Sequence, residues 1–159
     1  MAYSDGDGAG HQAAQKSVPL DRCGMAQAAR LLGDKWTLLV VREALYGVTR
    51  FDAMQTELAL PRSVLSDRLK RLVEAGVLKR RPYKENGKRV RHQYVLTPMG
   101  VDLALPLMAL MQWGEKHLLS APAVAEIVRR NGGEPLRVGL ATAEGKPAAL
   151  HEAQFRLKP

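Results

Sequence analysis

Two runs of residues suited to β-strands, VLKRRPY and KRVRHQYVLT, flank Glu85-Asn86-Gly87 and directly follow an amphipathic helical pattern. Asn-Gly favours a two-stranded hairpin, because both residues readily adopt the positive φ values of a tight hairpin turn. A basic hairpin is therefore predicted immediately after a helix, and the other segments must fit around this pair.

The helix before the hairpin begins after Pro61, where the missing N–H of proline is harmless because it would have no helical partner. The sequence RSVLSDRLKRLVEAG places apolar and polar side chains on opposite faces at about 100° per residue. Gly76 is predicted to end this helix as the C′ residue. The apolar face holds Leu65, Leu69, Leu72 and Val73, and the polar face holds Ser63, Asp67, Lys70, Arg71 and Glu74.

Three helices are predicted upstream of this one. Asp21 is the expected N-cap of the first, which Gly33 ends, and Asp34 is the expected N-cap of the second, KWTLLVVREALYG. Thr49 followed by Asp52 resembles the capping box of a short third helix. A short helix joined by a brief connection to an amphipathic one is typical of a helix-turn-helix, and the hairpin after it completes a winged helix plan.

The net charge of +8 is concentrated in one segment. Residues 61–93 contain eleven basic and three acidic side chains, so one fifth of the chain carries the whole excess and the remainder is neutral. This is the electrostatic footprint of a surface that neutralises phosphates. A basic face kept for solubility usually spreads its charge, and a membrane-binding face usually has Trp or Phe beside a basic helix.

The hairpin strands bring two basic clusters together across the predicted turn, namely Lys79, Arg80 and Arg81 on one strand and Lys88, Arg89 and Arg91 on the other. Alternation along the second strand indicates its inward side chains, with the register left open by one residue. The inward set is Val90, His92, Tyr94 and Leu96.

Thr97-Pro98 is predicted to cap and open a long apolar helix that reaches about Leu119 and is kinked at Pro106. The stretch LALPLMALMQW is too apolar for a lone surface helix, so we expect two copies of the chain to associate through it.

The predicted fold is mainly α with a small β component (α+β). It comprises a winged helix-turn-helix domain with a long C-terminal dimerisation helix over residues 21–119 and a small hairpin extension over residues 120–159. The extension is predicted to form a short helix over 122–130, broken at Gly132-Gly133, and a hairpin whose alternating residues lie at 136–140 and 155–157. Residues 1–20, which have no period, are predicted to form a mobile tail.

The sequence predicts no enzyme, metal site or cofactor. The four histidines are scattered singly and Cys23 is the lone cysteine, so metal-ligand spacing is absent, as are the common nucleophile and phosphate-loop motifs. The longest run without polar side chains, 103–111, is shorter than the roughly 18–20 residues of a membrane span. With no secretory pattern at the N-terminus, we expect no membrane association and a cytoplasmic location.

The polar face of the amphipathic helix is expected to recognise the sequence of double-stranded DNA. Ser63, Asp67 and Lys70 are placed to meet base edges in a major groove, which is wide enough for a helix. Asp67 suits only a cytosine amino group or an ion pair with Arg71 four residues on. The residues expected to hold phosphates are Arg62, Ser66 and Arg68, together with the hairpin residues Lys88, Arg89 and Arg91. The alternative for the helix is a solvated face with an Asp67–Arg71 pair.

Cys23 is predicted in the first turn of the first helix, beside Arg22, where unpaired N–H groups favour a thiolate. It is a candidate redox sensor that could act through an intersubunit disulfide. The alternative is a small buried residue at a helix start.

Five segments resemble the HxlR-type family of bacterial winged helix-turn-helix transcriptional regulators. They are CGMAQAARLLGDKWTLLVVREAL, RFDAMQ, VLSDRLKRLVEAGVL, YVLTPMG and WG, within residues 23–117. The resemblance implies a homodimer joined through the first and last helices, with Ser66, Arg68, neighbouring residues and the wing on DNA. Family members commonly carry a Cys at the position of Cys23, and some use it to sense thiol oxidation. Pro61 and the residues after Ser120 depart from the family pattern.

Three hypotheses follow. The leading one is a sequence-specific regulator that binds double-stranded DNA as a homodimer and responds to a small-molecule or oxidant effector. The second is a winged helix that binds an acidic protein through its basic ribbon. The third is a thiol enzyme or oxidant scavenger centred on Cys23.

Overall fold

A computed structural model describes residues 18–87 and 89–156. Most of the predicted N-terminal tail, Lys88 and Leu157 lie outside the described residues. The fold is mainly helical with two small antiparallel sheets, as predicted. The elements in chain order are α1 Gly24–Leu32, α2 Lys35–Leu45, α3 Phe51–Leu58, α4 Arg62–Glu74, β1 Leu78–Tyr83, β2 Arg91–Leu96, α5 Pro98–Asp102, α6 Ala104–His117, β3 Leu140–Ala141 and β4 Pro147–Ala148.

The core forms where α2, α3 and α4 meet. The apolar face predicted for α4 is correct, since its three leucines are fully buried and Val73 packs against them from the edge of the core. α2 contributes two fully buried valines and α3 contributes Met54. The core residues are Val40, Val41, Ala44, Met54, Leu58, Leu60, Leu65, Leu69, Leu72, Val77 and Leu78.

The end of α4 sets the direction of the hairpin. Gly76 has a φ of +76°, its N–H donates to the Val73 carbonyl at 3.0 Å, and the Val77 N–H donates to the Leu72 carbonyl at 2.9 Å. These two bonds form a Schellman motif, which confirms Gly76 as the C′ residue. The chain therefore turns directly from α4 into the buried Val77–Leu78 step and then into β1.

β1 and β2 pair from Leu78 opposite Leu96 to Tyr83 opposite Arg91. The predicted hairpin is confirmed, and Tyr94 and Leu96 face the core as expected. The inward placement of Val90 and His92 is wrong, because both are exposed, and Val90 precedes the strand. The ribbon extends past the edge of the core at this end, so these side chains do not reach the core.

Two predicted helix starts are corrected by the structure. α1 has Cys23 at its N-cap instead of Asp21. α3 has Arg50 at its N-cap with no side-chain cap, so the predicted Thr49–Asp52 capping box is wrong. The Thr49 side chain instead donates to Gln93 of β2 at 3.1 Å, a tertiary bond that competes with the local one. The predicted cap of α2 by Asp34 is confirmed.

The long apolar helix is divided at Leu103 into α5 and α6. Pro106 has no N–H to offer the carbonyl four residues earlier, so the break falls just before it and α6 restarts with Pro106 in its first turn. Thr97 caps α5 as predicted, accepting from the Gly100 N–H at 3.1 Å.

In the C-terminal extension the helix predicted over 122–130 is wrong. Residues 122–130 form no helix, and the backbone at 127–129 pairs with the residues beyond Gly132-Gly133 through Leu136 N–H to Ile127 O at 2.7 Å and Arg129 N–H to Glu134 O at 2.9 Å. The two glycines have positive φ and form a turn, which diverts the backbone bonds from a helix. A second hairpin is present, but it pairs Leu140–Ala141 with Pro147–Ala148, so the predicted second strand over 155–157 is wrong and Phe155 lies outside the hairpin fully exposed.

We expect Gly100 to be irreplaceable where α5 approaches the start of β1. A Cβ atom at Gly100 would lie 2.2 Å from the Val77 carbonyl oxygen and 2.9 Å from Leu96 Cδ2, a contact with backbone that cannot relax cheaply. G100A should lower the free energy of unfolding by about 1–3 kcal/mol, measured by urea denaturation.

The matched control is G114A in α6, where a Cβ would meet nothing within 4 Å. Alanine there should stabilise the helix by about 0.5–1 kcal/mol. Equal effects of the two substitutions would contradict the packing assigned to Gly100.

Candidate nucleic-acid interface

The connection between α3 and α4 presents one face of α4 to solvent. Ala59 ends α3 in the left-handed region with a φ of +48°, Leu60 inserts into the core at 4% exposure, and Pro61 occupies the N-cap of α4. With Leu65, Leu69 and Leu72 buried, the polar face points outward. The side chains exposed on it are Arg62, Ser63, Ser66, Asp67, Lys70, Arg71 and Glu74.

The wing, the β1–β2 hairpin, is joined to the start of α3. The Tyr94 N–H donates to the Thr49 carbonyl at 2.7 Å, next to the Thr49–Gln93 side-chain bond. Arg50 pairs with Glu85 at 2.8 Å, and its guanidinium lies 4.7 Å from the centre of the Tyr83 ring. These contacts hold the wing at a defined angle to α3 and therefore to α4.

A polar hollow of about 300 Å³ separates the start of α4 from the wing. Asp52 stands between the two cationic edges: one carboxylate oxygen lies 3.0 Å from Arg91 of the wing and the other lies 4.0 Å from Arg62 of α4. Arg62 also lies 4.7 Å from the centre of the Phe51 ring. The hollow is lined by Phe51, Asp52, Arg62, Tyr83, Arg91, His92 and Tyr94. The first residue of α4 and the wing thus converge on one surface.

The model of the HxlR-like helix-turn-helix family matches residues 31–121, more than half of the chain. The chain belongs to this family. The match includes α2, α3, α4, the wing, α5 and α6, so the geometry described above is that of an HxlR-like winged helix-turn-helix.

Among sequence relatives of this HxlR-like chain is the uncharacterised HTH-type transcriptional regulator Rv3095 of Mycobacterium tuberculosis, which is 45% identical over 94 residues. The match covers 59% of this chain and 58% of that relative, so the chain spans less than two thirds of the relative's length.

Two solved structures resemble this HxlR-like chain. PA1607, provisionally described as a transcription factor, has a TM-score of 0.74 at 30% identity and covers 92% of this chain and 97% of its own. PA1374 from Pseudomonas aeruginosa, described in the same way, has a TM-score of 0.60 at 35% identity and covers 86% and 93%. The part of this chain that the PA1607 match leaves uncovered is shorter than the C-terminal extension. The match therefore includes part of the extension.

Arg68 differs from the other residues predicted on the polar face. Its side chain is only 22% exposed and is bonded to Asp34 at the start of α2 and to Asp67 beside it, the latter at 2.5 Å. The Asp67–Arg71 pair considered above is not formed, because Arg68 already occupies the Asp67 carboxylate. The roles of Arg68 on phosphate and of Asp67 on a base stay predictions.

The remaining predicted positions lie at the surface. Arg89 is exposed in the loop of the wing, Arg91 begins β2, and Lys88 lies outside the described residues. Sequence reasoning missed Arg50 and Asp52 as parts of this surface. Their neighbours belong to β2 and the wing loop, roughly 35–40 residues away along the chain, and helical periodicity carries no signal of such pairs.

Asp34 is the polar residue that joins α2 to α4. Its carboxylate accepts from the Trp36 and Thr37 N–H groups at 3.4 and 3.2 Å, from the Thr37 hydroxyl at 2.8 Å, and from Arg68. Burial acts to raise the pKa of this carboxyl, but the hydrogen bonds from Thr37, Arg68 and the backbone outweigh it and lower the pKa to about 2. The ionised form is thus the stabilised one.

Cys23 is half-buried at the N-cap of α1, where its carbonyl accepts from the Gln27 N–H at 3.0 Å. Its role as a redox sensor stays a prediction. Across residues 18–87 and 89–156, no three His, Cys, Asp or Glu side chains gather as a metal would require, and none of the helices there has the length and apolarity to cross a bilayer.

Substitution of Asp34 should separate its two roles. D34A removes the cap and the ion pair, and should cost about 1–2 kcal/mol of unfolding free energy at pH 7. D34N keeps a good capping side chain and loses only the charge, so it should cost less. Urea unfolding measures both.

The folded-state pKa of about 2 lies below the ordinary aspartate value of 3.8, so the contribution of Asp34 is complete above about pH 4 and is lost as the pH falls towards 2. The difference in stability between wild type and D34N should shrink over that interval. Parallel pH curves for the two proteins would contradict the Asp34–Arg68 pair.

Proposed function

We propose that this chain is a sequence-specific regulator of transcription that binds double-stranded DNA as a homodimer. The observation that carries the proposal is the convergence of the exposed polar face of α4 and the basic wing on one surface. All of the excess charge of the chain lies in the segment that builds this surface. A helix of this kind fits a major groove, and a wing beside it reaches the neighbouring backbone. The names of Rv3095 and the two structural neighbours also support a role in transcription.

The positions of the side chains support different roles in contacting bases, contacting the DNA backbone and orienting α4. Ser63, Ser66 and Lys70 are exposed along α4 with their polar ends directed away from the core, as base or phosphate contacts require. Arg62, Arg89 and Arg91 stand at the edges of the surface, where guanidinium groups would hold the DNA backbone. The partly buried Arg68 orients α4 through Asp34, and its outward-facing neighbour Asp67 is the member best suited to a cytosine amino group.

Homodimerisation is supported by apolar surface that the described chain leaves uncovered. Leu105 and Trp113 on α6 are 64% and 56% exposed, and Met25 on α1 is 78% exposed. Exposed apolar side chains gathered on two helices favour association. A symmetric pair would present two copies of α4 to half-sites about 34–36 Å apart. A cytoplasmic location fits such a function.

We expect the wing arginines to contribute phosphate contacts. Binding of a duplex should weaken steeply with salt, and replacing both Arg89 and Arg91 by Ala should reduce the slope of log K against log salt by about 2. The measurement is a fluorescence anisotropy titration at several salt concentrations.

The matched control is the double variant R130A/R137A, which removes the same charge from exposed positions of the C-terminal extension. Equal slopes for the two double variants would contradict wing contact with DNA. A complex with an acidic protein that survives nuclease treatment, with no DNA footprint, would favour the protein-binding hypothesis instead.

Asp52 should restrain DNA binding, because it neutralises Arg62 and Arg91 in the free protein. D52N releases both arginines and removes a negative charge from the surface, so duplex affinity should rise about three- to tenfold at moderate salt. E57Q makes the same charge change at an exposed position later in α3 and should have a smaller effect. The same gain from both variants would show a general charge effect and would contradict the role given to Asp52.

A further inference from the structure

A second cavity, about 370 Å³ in volume, lies between α2 and α6, away from the polar face of α4. It falls in the size range of about 300–1,000 Å³ that is typical of small-molecule sites. Its walls are almost wholly apolar and are formed chiefly by Leu38, Leu39 and Leu45 of α2 and by Leu107, Met108 and Met111 of α6. Methionine side chains adapt to varied shapes, so such walls can close around a ligand.

The polar groups at the edge of this cavity indicate the chemistry of an occupant. The Arg42 guanidinium is already neutralised by the buried Glu43 carboxylate at 2.5 Å, so it offers little attraction to an anion. Tyr46 is 57% exposed, and its hydroxyl donates to the sulfur of Met111, at 3.6 Å, as its hydrogen-bond acceptor among the described residues. Thioether sulfur is a weak acceptor, and a carbonyl oxygen would replace it favourably.

We propose that this cavity is a binding site for a neutral, largely apolar small molecule that carries one hydrogen-bond acceptor, which takes the Tyr46 hydroxyl. Ile127 of the C-terminal extension completes the lining. Its burial exceeds that of the residues on either side of it, which are exposed. The extension therefore contributes to the site by covering part of it.

The second copy of the chain is a less suitable occupant. At about 100° per residue, Trp113 lies roughly 140–160° around α6 from Met108 and Met111, which line the cavity. A dimer formed through Trp113 and Met25 of α1 would therefore leave the Met108 and Met111 side of α6 to the ligand.

The site has a direct structural route to the DNA-binding surface. α2 forms one wall of the cavity, and Asp34 at its start holds Arg68 of α4. A ligand that changes the spacing of α2 and α6 would move α4 relative to the helix expected to join the two protomers. This regulatory step rests on the proposed function, whereas the binding site itself does not.

The probe for the test is the dye 6-propionyl-2-dimethylaminonaphthalene, which is neutral, apolar and bears a ketone oxygen. Titration into the full chain without DNA should give saturable binding with blue-shifted emission. A104F, which fills the cavity from the first turn of α6, should weaken binding at least about tenfold. Y46F removes only the donor and should weaken binding about three- to tenfold, with a further blue shift as the ketone loses its hydrogen bond.

L105F is the matched control, because it makes a large aromatic side chain on the same helix outside the cavity. It should leave dye binding unchanged. If A104F unfolds the chain, as circular dichroism would show, M111F supplies a second filling variant. The proposed site would be overturned by an absence of saturable dye binding. Equal dye affinity in wild type, the filling variant and L105F would also overturn it. So would a filling variant that changes only the dissociation constant of the dimer.

The regulatory step is tested separately by duplex affinity with and without saturating dye. A change in wild type that is absent in the filling variant supports it. An unchanged duplex affinity despite dye binding overturns the regulatory step, whereas failure to bind any duplex overturns the proposed function and leaves the dye result standing.

Discussion

The placement of the surface formed by α4 and the wing depends on the hydrogen bonds and the ion pair of the Asp34 carboxylate. One side chain satisfies the first free N–H groups of α2 and holds the half-buried guanidinium of Arg68 on α4. Apolar packing of Leu65, Leu69 and Leu72 brings α4 against α2, but such packing is non-directional and tolerates sliding. A charge-assisted bond fixes the rotation of α4 about its own axis, because it forms in one geometry only. The exposed face of α4 is defined by this bond as well as by the leucines.

The same surface shows how a chain can gather cations without losing stability. Each cationic edge near the hollow has an acidic neighbour: Asp52 for Arg62 and Arg91, and Glu85 for Arg50. Exposed pairs of this kind add little stability, but they offset the mutual repulsion of the arginines. They also exchange readily, since a phosphate can replace a carboxylate at little cost. In the proposed function, Asp52 holds the arginines near the positions in which they contact DNA. A duplex must displace this weak attraction of Asp52 in order to bind.

Sequence patterns predicted those features that depend on neighbours along the chain. The apolar face of α4, the Gly76 terminus, the Asp34 and Thr97 caps and the Asn-Gly hairpin all follow from bonds between residues a few positions apart. The predictions that are wrong concern residues that bond to a group set by the fold instead of to the local group assumed in the prediction. Thr49, for example, bonds to Gln93 of β2, 44 residues away, instead of capping α3. The Gly132-Gly133 turn draws the backbone at 127–129 into pairing and away from a helix. The periodicity of the sequence cannot predict these outcomes, because in each case the competing bond has a partner whose position is set by the fold.

In the proposed regulation, the position of α2 allows one helix to take part in both proposed sites. Val40, Val41 and Ala44 pack into the core against α4, while Leu38, Leu39 and Leu45 face the cavity beside α6. A ligand can change DNA affinity only by as much as its own affinity differs between the two positions of α2. A tenfold change in DNA affinity corresponds to about 1.4 kcal/mol. At about 25 cal/mol per Å² of apolar surface, that difference requires only some 60 Å² more burial in one position than in the other. This is a fraction of the surface of an aromatic ring system, so a ligand that fits this cavity can supply the difference in affinity that the proposed regulation requires.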